Sequence, residues 1–195
     1  MKKITVIIGP TASGKSQLGI TLAKEKNAAI ISADAFQVYQ EFNIGTGKLM
    51  PNEMQGIKHF LIDEYHPETP YSVQDFLDQV TKITNDNKDQ NYIICGGSAM
   101  YLKALLYGYK PLKRLPITKR PDGSNIELWE KLNAIDHDLA KKTPYQNKQR
   151  VQRYLELYEI YNEPPSTLFK SKSLDTEKYQ VIGILIETSI LKERI

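Results

Sequence analysis

The sequence predicts an α/β fold, a parallel sheet flanked by helices with a small helical and irregular excursion, and three observations predict it. A glycine-rich turn, Gly9-Pro10-Thr11-Ala12-Ser13-Gly14-Lys15-Ser16, stands between an apolar run and a helical pattern, as a phosphate-holding P-loop does. Short apolar runs of strand length alternate with helical stretches along most of the chain, the signature of parallel strands joined by crossover helices. Two later runs end on Asp34 and on Gly96-Gly97, at the strand edge where such sheets bind ligands.

Taken in order, Ile4-Thr5-Val6-Ile7-Ile8 reads as a buried strand, and Gln17 to Lys26, with Leu18, Leu22 and Ala23 at helical spacing, as a helix. Between them the loop's backbone N–H groups and the helix N-terminus can surround a phosphate chain. Lys15 supplies a point charge there, and the Ser16 hydroxyl can ligate Mg²⁺. Strand context favours this over an ordinary glycine turn, and the expected core is P-loop NTPase-like; read alone, the loop would be assigned ATP. Ala28-Ala29-Ile30-Ile31-Ser32 is a second buried strand, and its end delivers Ala33-Asp34-Ala35-Phe36-Gln37-Val38-Tyr39. Asp34 reads either as a carboxylate beside the phosphates or as the cap of a following short helix.

Gly45-Thr46-Gly47-Lys48 reads as a loop, with a supporting phosphate or substrate loop as the sharper alternative. Lys58 to Asp63 is the next strand candidate, and Asp63 is placed where a P-loop enzyme holds its magnesium-positioning carboxylate. Ser72-x-x-Asp75 opens a helix with Val73, Phe76, Leu77, Val80 and Ile83 on one face. Asn91 to Cys95 is another buried strand, feeding Gly96-Gly97-Ser98-Ala99-Met100-Tyr101-Leu102, and Cys95 within it reads as a small apolar filler.

Beyond Tyr109 the pattern changes. Lys110 to Gly123 holds three prolines and no periodicity, and Lys110 to Arg120 holds five basic residues and no acidic one, either a solvated basic loop or a patch for a polyanion. Ser124-x-x-Glu127 is a capping box before Leu128, Trp129 and Leu132, and Gln146 to Tyr161 is a helix ended by Pro164-Pro165. Arg150 and Arg153, three apart on it, can grip phosphate or form a solvated face. Val181 to Ile186 reads as the last strand, followed by the start of a helix at Ser189. The expected divisions are 1–109 as the first part of the core, 110–145 as a reduced insertion and 146–195 as the core continued.

Composition narrows the class. With 195 residues, 41% apolar and 25% charged, the chain has material for one good core and is ordinary for a globular protein. A single cysteine excludes an internal disulfide or a cysteine zinc cluster, which points to a reducing compartment. No apolar run approaches the ~18 residues of a membrane span, and Met1-Lys2-Lys3 leads into a strand rather than a signal peptide. A cytoplasmic monomer is expected, and His59, His66 and His137 lack ligand spacing.

Several separated stretches resemble one family, the tRNA dimethylallyltransferases, also called tRNA isopentenyltransferases. These are the P-loop, then Ile31 to Tyr39, Ile44-Gly45-Thr46-Gly47-Lys48, His59 to Asp63, Tyr71 to Phe76, Gly96 to Tyr101 and Gln149-Arg150-Val151-Gln152-Arg153-Tyr154-Leu155-Glu156, in that order. The P-loop followed by Ser-x-Asp-x-x-Gln-Val-Tyr is the specific part. The resemblance implies transfer of a dimethylallyl group from dimethylallyl diphosphate to the N6 amine of the adenine beside the anticodon of tRNA, with diphosphate released.

By the same resemblance, Gly9, Pro10, Thr11, Ala12, Ser13, Gly14, Lys15 and Ser16 bind the donor diphosphate, with Mg²⁺ held partly by Ser16. Asp34 takes the amine proton, and Ser98 stands where threonine is usual. Asp34, Ala35, Phe36 and Gln37, together with Gln149, Arg150, Val151, Gln152 and Arg153, touch the anticodon stem-loop. Family members usually carry Ser-Met at Ala35-Phe36 and Thr-Gly-Leu at Ser98-Ala99-Met100. They also run longer, with a larger helical insertion and a basic, aromatic C-terminal helical part beyond this chain's last residue. A family arginine after the last strand corresponds to Arg194 or lies further on. Transfer to free adenylate, a nucleoside or small-molecule kinase, and an inactive RNA-binding protein are the competing readings.

Overall fold

The β-branched apolar runs become strands that share one parallel sheet. The structure, a computed structural model, describes residues 3–108, 112, 115–116, 119–169, 173–187 and 189–191. In chain order its elements are β1 (Ile4–Ile8), α1 (Lys15–Lys26), β2 (Ala28–Ser32), β3 (His59–Phe60), α2 (Val73–Asp86), β4 (Asn91–Cys95) and α3 (Ala99–Tyr107). Then come α4 (Asn125–Ile135), α5 (His137–Lys141), α6 (Lys148–Tyr161), α7 (Pro165–Leu168) and β5 (Tyr179–Gly183). The strands lie in the order β3-β2-β4-β1-β5 and every pairing is parallel.

The sheet is apolar on both faces because each face is covered. Ile7, Ile30, Ile93 and Cys95 pack with Ile20 and Ala23 of α1. Their neighbours Val6, Ile31 and Ile94 pack on the other side with Phe76 and Val80 of α2 and Tyr101 and Leu102 of α3. Phe76 is fully buried and stacks on Tyr101 with ring centroids 4.8 Å apart.

At the start of α2, Ser72 and Asp75 form the predicted reciprocal capping box. Ser72→Ala is expected to cost ~1 kcal/mol, read as a lower urea midpoint at pH 7. The Ser72 side-chain and backbone donors hold the Asp75 carboxyl below its ordinary range. That stabilisation is therefore present above the ordinary carboxylate range and is lost as pH falls through the depressed value.

Two strands differ from expectation. The run Lys58 to Asp63 yields only a two-residue strand, because Leu61 and Asp63 turn to φ 61° and 57° and Glu64 Oε1 accepts the Leu61 N–H at 2.6 Å. The last strand starts at Tyr179, opposite Ile4, and ends at Gly183 where its partner β1 ends. Residues 189–191 are helical, and Arg194 lies outside the described residues.

The chain divides into two units, Met1–Tyr109 with Ser173–Ile195, and Lys110–Lys172. The second is helical, with Leu128, Leu132, Val151 and Leu157 fully buried between α4 and α6. This corrects the expected boundary at 145, since α6 buries its apolar face in the α4 cluster of this unit. An amphipathic stripe states that a face is buried, not against what. Among the described residues, no helix is long and apolar enough to cross a membrane.

Candidate functional site

Three adjacent strands end together. β4 lies between β1 and β2, with Cys95 level with both Ile7 and Ser32, so the chain segments leaving all three meet at one edge. From β1 comes the P-loop, from β2 Asp34, and from β4 the Gly96-Gly97-Ser98 turn.

The P-loop owes its shape to residues that accept left-handed backbone. Gly14 caps α1 at φ 85°, and Ala12 takes φ 60°, a conformation an alanine adopts only where its surroundings impose it. No side chain caps α1 and no acidic residue lies in its first turn. Its partial positive charge is therefore left to a ligand. Gly9 is closely approached, since a Cβ there would meet Ser13 Oγ at 2.8 Å and Ile184 O at 3.2 Å. That Ser13 hydroxyl is buried without a protein partner, in the middle of the loop. Lys15 is buried at the start of α1 and its Nζ donates to Pro10 O at 2.5 Å. Burial pulls its ammonium below the usual lysine range, while Cys95 and Asp34 act in the opposite sense, which marks Asp34 as an electrostatic neighbour of Lys15. Cys95 itself is a buried thiol pushed up to about 11 by burial, consistent with a filler and not a nucleophile.

Asp34 is held and aimed by backbone. Its Oδ1 accepts from Phe36 N at 3.0 Å and Gln37 N at 3.4 Å, so it does cap the following turn, and one oxygen suffices for that. The other, Oδ2, lies 2.9 Å from where a Gly97 Cβ would be. The missing side chain at Gly97 is what makes room for the carboxylate. Gly96 is tighter still, for a Cβ there would stand 2.2 Å from Ala33 O. Ser98 Oγ accepts from Ala35 N at 2.8 Å, and Ser98 N donates to Ala33 O at 3.0 Å, tying the β4 turn to the Asp34 turn. The Ser98 hydroxyl keeps its own hydrogen to donate.

Ala35 is partly buried and Phe36 is 62% exposed. Gln37 is occupied internally, accepting from Ser32 Oγ at 3.3 Å and donating to Thr46 O at 3.1 Å and Gly47 O at 3.3 Å. Asp63 does not take the magnesium-positioning place. It follows β3, separated from β1 by two strands, and its carboxylate pairs with buried Lys48. That pairing is not visible in the sequence; the signal was a lysine and an aspartate of opposite charge, each next to apolar sequence.

In the second unit, Gln149 and Arg150 are exposed, with Arg150 Nε donating to Tyr154 Oη at 2.9 Å. Val151 is fully buried, so its side chain belongs to the core rather than to a surface. Gln152 Nε2 donates to Pro121 O at 2.9 Å. Arg153 donates to Glu156 at 2.7 Å and to Leu112 O at 3.1 Å. Glu156, nearly fully buried, also accepts from Leu115 N. Burial raises its carboxyl, but the Arg153 and Leu115 donors outweigh this and hold it below the usual range. Arg153 and Gln152 therefore tether the excursion. Of the basic residues there, Lys110, Lys113 and Arg114 lie outside the described residues. A cavity of about 610 Å³ lined by Lys24, Lys58, Phe60, Asp86 and Tyr92 lies at the opposite, amino ends of β2 and β4.

A P-loop and a carboxylate converging on one edge of a parallel sheet define an α/β phosphate-binding core of the P-loop NTPase-like kind. The family model described as IPP transferase matches residues 37–195. The tRNA dimethylallyltransferase of Ligilactobacillus salivarius is 38% identical over 210 residues, covering 100% of this chain and 67% of that protein. The one from Staphylococcus aureus (strain bovine RF122 / ET3-1) is 39% identical, covering 95% and 64%. The solved tRNA delta(2)-isopentenylpyrophosphate transferase of Staphylococcus epidermidis superposes with TM-score 0.62 at 32% identity, covering 100% of this chain and 67% of that one. A eukaryotic dimethylallyltransferase acting on tRNA gives TM-score 0.80 at 27% identity, covering 100% and 51%. The chain belongs to the IPP transferase family. It spans about two thirds of the length of the curated relatives it matches.

Proposed function

We propose that the protein transfers the dimethylallyl group of dimethylallyl diphosphate to the N6 amine of the adenine adjacent to the anticodon of tRNA, releasing diphosphate. The observation that carries this reading is Asp34 at the mouth of the P-loop, electrostatically coupled to Lys15 and flanked by Gly97 and Ser98. A loop that binds phosphate, set beside a carboxylate that can take a proton, suits a reaction whose leaving group is diphosphate and whose nucleophile is an amine.

The donor diphosphate lies in Gly9 to Ser16, met by the first-turn amides of α1, the Ser13 hydroxyl and Lys15. As the allylic C–O bond breaks, its electrons pass to the diphosphate, and these fixed donors stabilise the charge that collects on the leaving oxygens. The exposed Ser16 hydroxyl at the first turn of α1 fits a magnesium ligand. Among the described residues no acidic or histidine cluster would hold the ion, so its remaining ligands would come from the diphosphate and water. Mg²⁺, when bound, supplies further charge neutralisation at those oxygens. The adenine amine forms the new C–N bond and becomes acidic as it does so. Asp34 Oδ2 takes its proton, while Ser98 donates a hydrogen bond to the amine or the diphosphate. Phe36 and Ala35 border the acceptor, and Gln149 and Arg150 are the α6 residues available to RNA.

Lys15→Met removes a charge-assisted contact and is expected to weaken dimethylallyl diphosphate binding by roughly 10- to 100-fold, measured by calorimetry. The function itself is tested by offering labelled dimethylallyl diphosphate and Mg²⁺ with unmodified tRNA or with AMP, and ATP with a nucleoside set in parallel. Label on tRNA supports the proposal; label on AMP replaces it with adenylate prenylation, and ATP consumption without prenyl transfer replaces it with a kinase. RNA binding with none of these leaves only the inactive relative.

A further inference from the structure

We propose that Lys48 and Asp63 form a clip that positions the Asp34 turn, so that Lys48 is a positioning residue for the transfer reaction although it touches no substrate. The inference rests on the function proposed above only for its kinetic consequence. Lys48 is 5% exposed, and its Nζ has three acceptors for its three protons: Tyr39 O at 2.6 Å, Asn43 Oδ1 at 3.1 Å and the Asp63 carboxylate. It is therefore a satisfied buried cation and not a phosphate ligand.

Asp63 acts from two groups at once. Its backbone N–H donates to Gln37 O at 3.1 Å, while its carboxylate holds the ammonium that holds Tyr39 O. Residues 37 to 39 are thus gripped from both sides immediately after the Asp34 cap. Gln37 adds its side-chain bonds to Thr46 O and Gly47 O, which lie next to Lys48 in the chain. The other end of the segment is fixed by Ala35 N to Ser98 Oγ. Asp34 therefore sits on a turn pinned upstream by the β4 turn and downstream by the Lys48–Asp63 pair. The Gly45-Thr46-Gly47-Lys48 motif gains a purpose in this arrangement: its turn returns Lys48 beneath the segment that carries the carboxylate.

The two partners are unequal. The Asp63 side chain is 49% exposed against 1% for Lys48. Removing Lys48 leaves a carboxylate that water can solvate but deletes every bond the ammonium makes, whereas Asp63→Asn keeps the bonds to Tyr39 O and Asn43 Oδ1 and weakens only the third, so Lys48→Met is the larger perturbation of the turn. Lys48→Met and Asp63→Asn together test the clip, the second retaining the backbone N–H and an oxygen acceptor.

Amide hydrogen exchange is followed at Phe36 and Gln37, whose N–H groups Asp34 binds, and at Leu18, whose N–H donates to Gly14 O at 3.0 Å in α1, as an internal reference. Lys48→Met is expected to speed exchange at Phe36 and Gln37 by ~10-fold or more with Leu18 unchanged, and Asp63→Asn to do so by a few-fold. In turnover, Lys48→Met lowers kcat by ~10-fold while dimethylallyl diphosphate affinity stays within about twofold. Exchange at Phe36 and Gln37 within about twofold of the native protein in both variants overturns the clip, as does a uniform rise across the sheet. If Lys48→Met does not fold, the Asp63→Asn result decides alone. If the native chain transfers no prenyl group, the proposed function fails while the exchange data still decide the clip.

Discussion

Asp34→Asn should lower prenyl transfer by ~10²–10⁴ while dimethylallyl diphosphate binds as before, because the substitution removes a base and little else. An asparagine Oδ1 can still accept from Phe36 N and Gln37 N, which the native carboxylate meets at 3.0 and 3.4 Å, so the turn keeps its cap. Lys15 and the α1 first turn are untouched. Asp34→Ala would remove the cap as well and mix two effects, which is why asparagine is the more informative change. Single-turnover rates at saturating donor, beside donor affinity by calorimetry, separate the chemical step from binding. Turnover unchanged in Asp34→Asn would remove Asp34 from the role of base.

Gly96→Ala should be the most damaging small change to the fold. The added Cβ would stand 2.2, 2.3 and 2.7 Å from Ala33 O, C and Cα, all backbone atoms. That backbone is held by Ala33 N to Cys95 O at 2.9 Å and Ser98 N to Ala33 O at 3.0 Å, so relief requires parting the ends of β2 and β4. A cost of about 3 kcal/mol or more is expected, seen as a large drop in urea midpoint. Gly97→Ala is the contrasting case, since its Cβ meets only Asp34 Oδ2, the end of a side chain, at 2.9 Å. It should fold with near-native stability and lose turnover, which sets the two adjacent glycines to different work, one holding strands together and the other making room for a carboxylate.

Much of the site is written locally in the chain. The P-loop needs only its glycines, Lys15, Ser16 and the strand and helix around them, and Asp34 and Ser98 each follow a strand that apolar periodicity identifies. Strand ends in a parallel sheet meet at one edge, which brought these residues together before any coordinates. What stayed hidden depends on partners distant in sequence. Lys48 and Asp63 are 15 residues apart and each looked like a ligand for phosphate or magnesium; only the fold shows that they satisfy each other. Arg153 looked like a phosphate contact on an exposed helix face, yet Glu156 and Leu112 O occupy it. Val151 was placed in an RNA-contacting stretch only because the resemblance covers Gln149 to Arg153 as a block, and the helix turns it into the core. The boundary of the second unit was misplaced for the same reason: α6 carries an apolar stripe, and nothing in the stripe distinguishes α4 from the sheet.

The central claim is that the P-loop grips the leaving group rather than the group transferred. The direct test is a double-label experiment with the native chain, unmodified tRNA and Mg²⁺, using dimethylallyl diphosphate labelled in both its five-carbon group and its diphosphate, with phosphate-labelled ATP offered in a parallel reaction. The account predicts carbon label on the RNA and an equal amount of phosphate label released as free diphosphate, with none of the ATP label reaching the acceptor. Phosphate label from ATP on the acceptor, with no carbon label transferred, would contradict it.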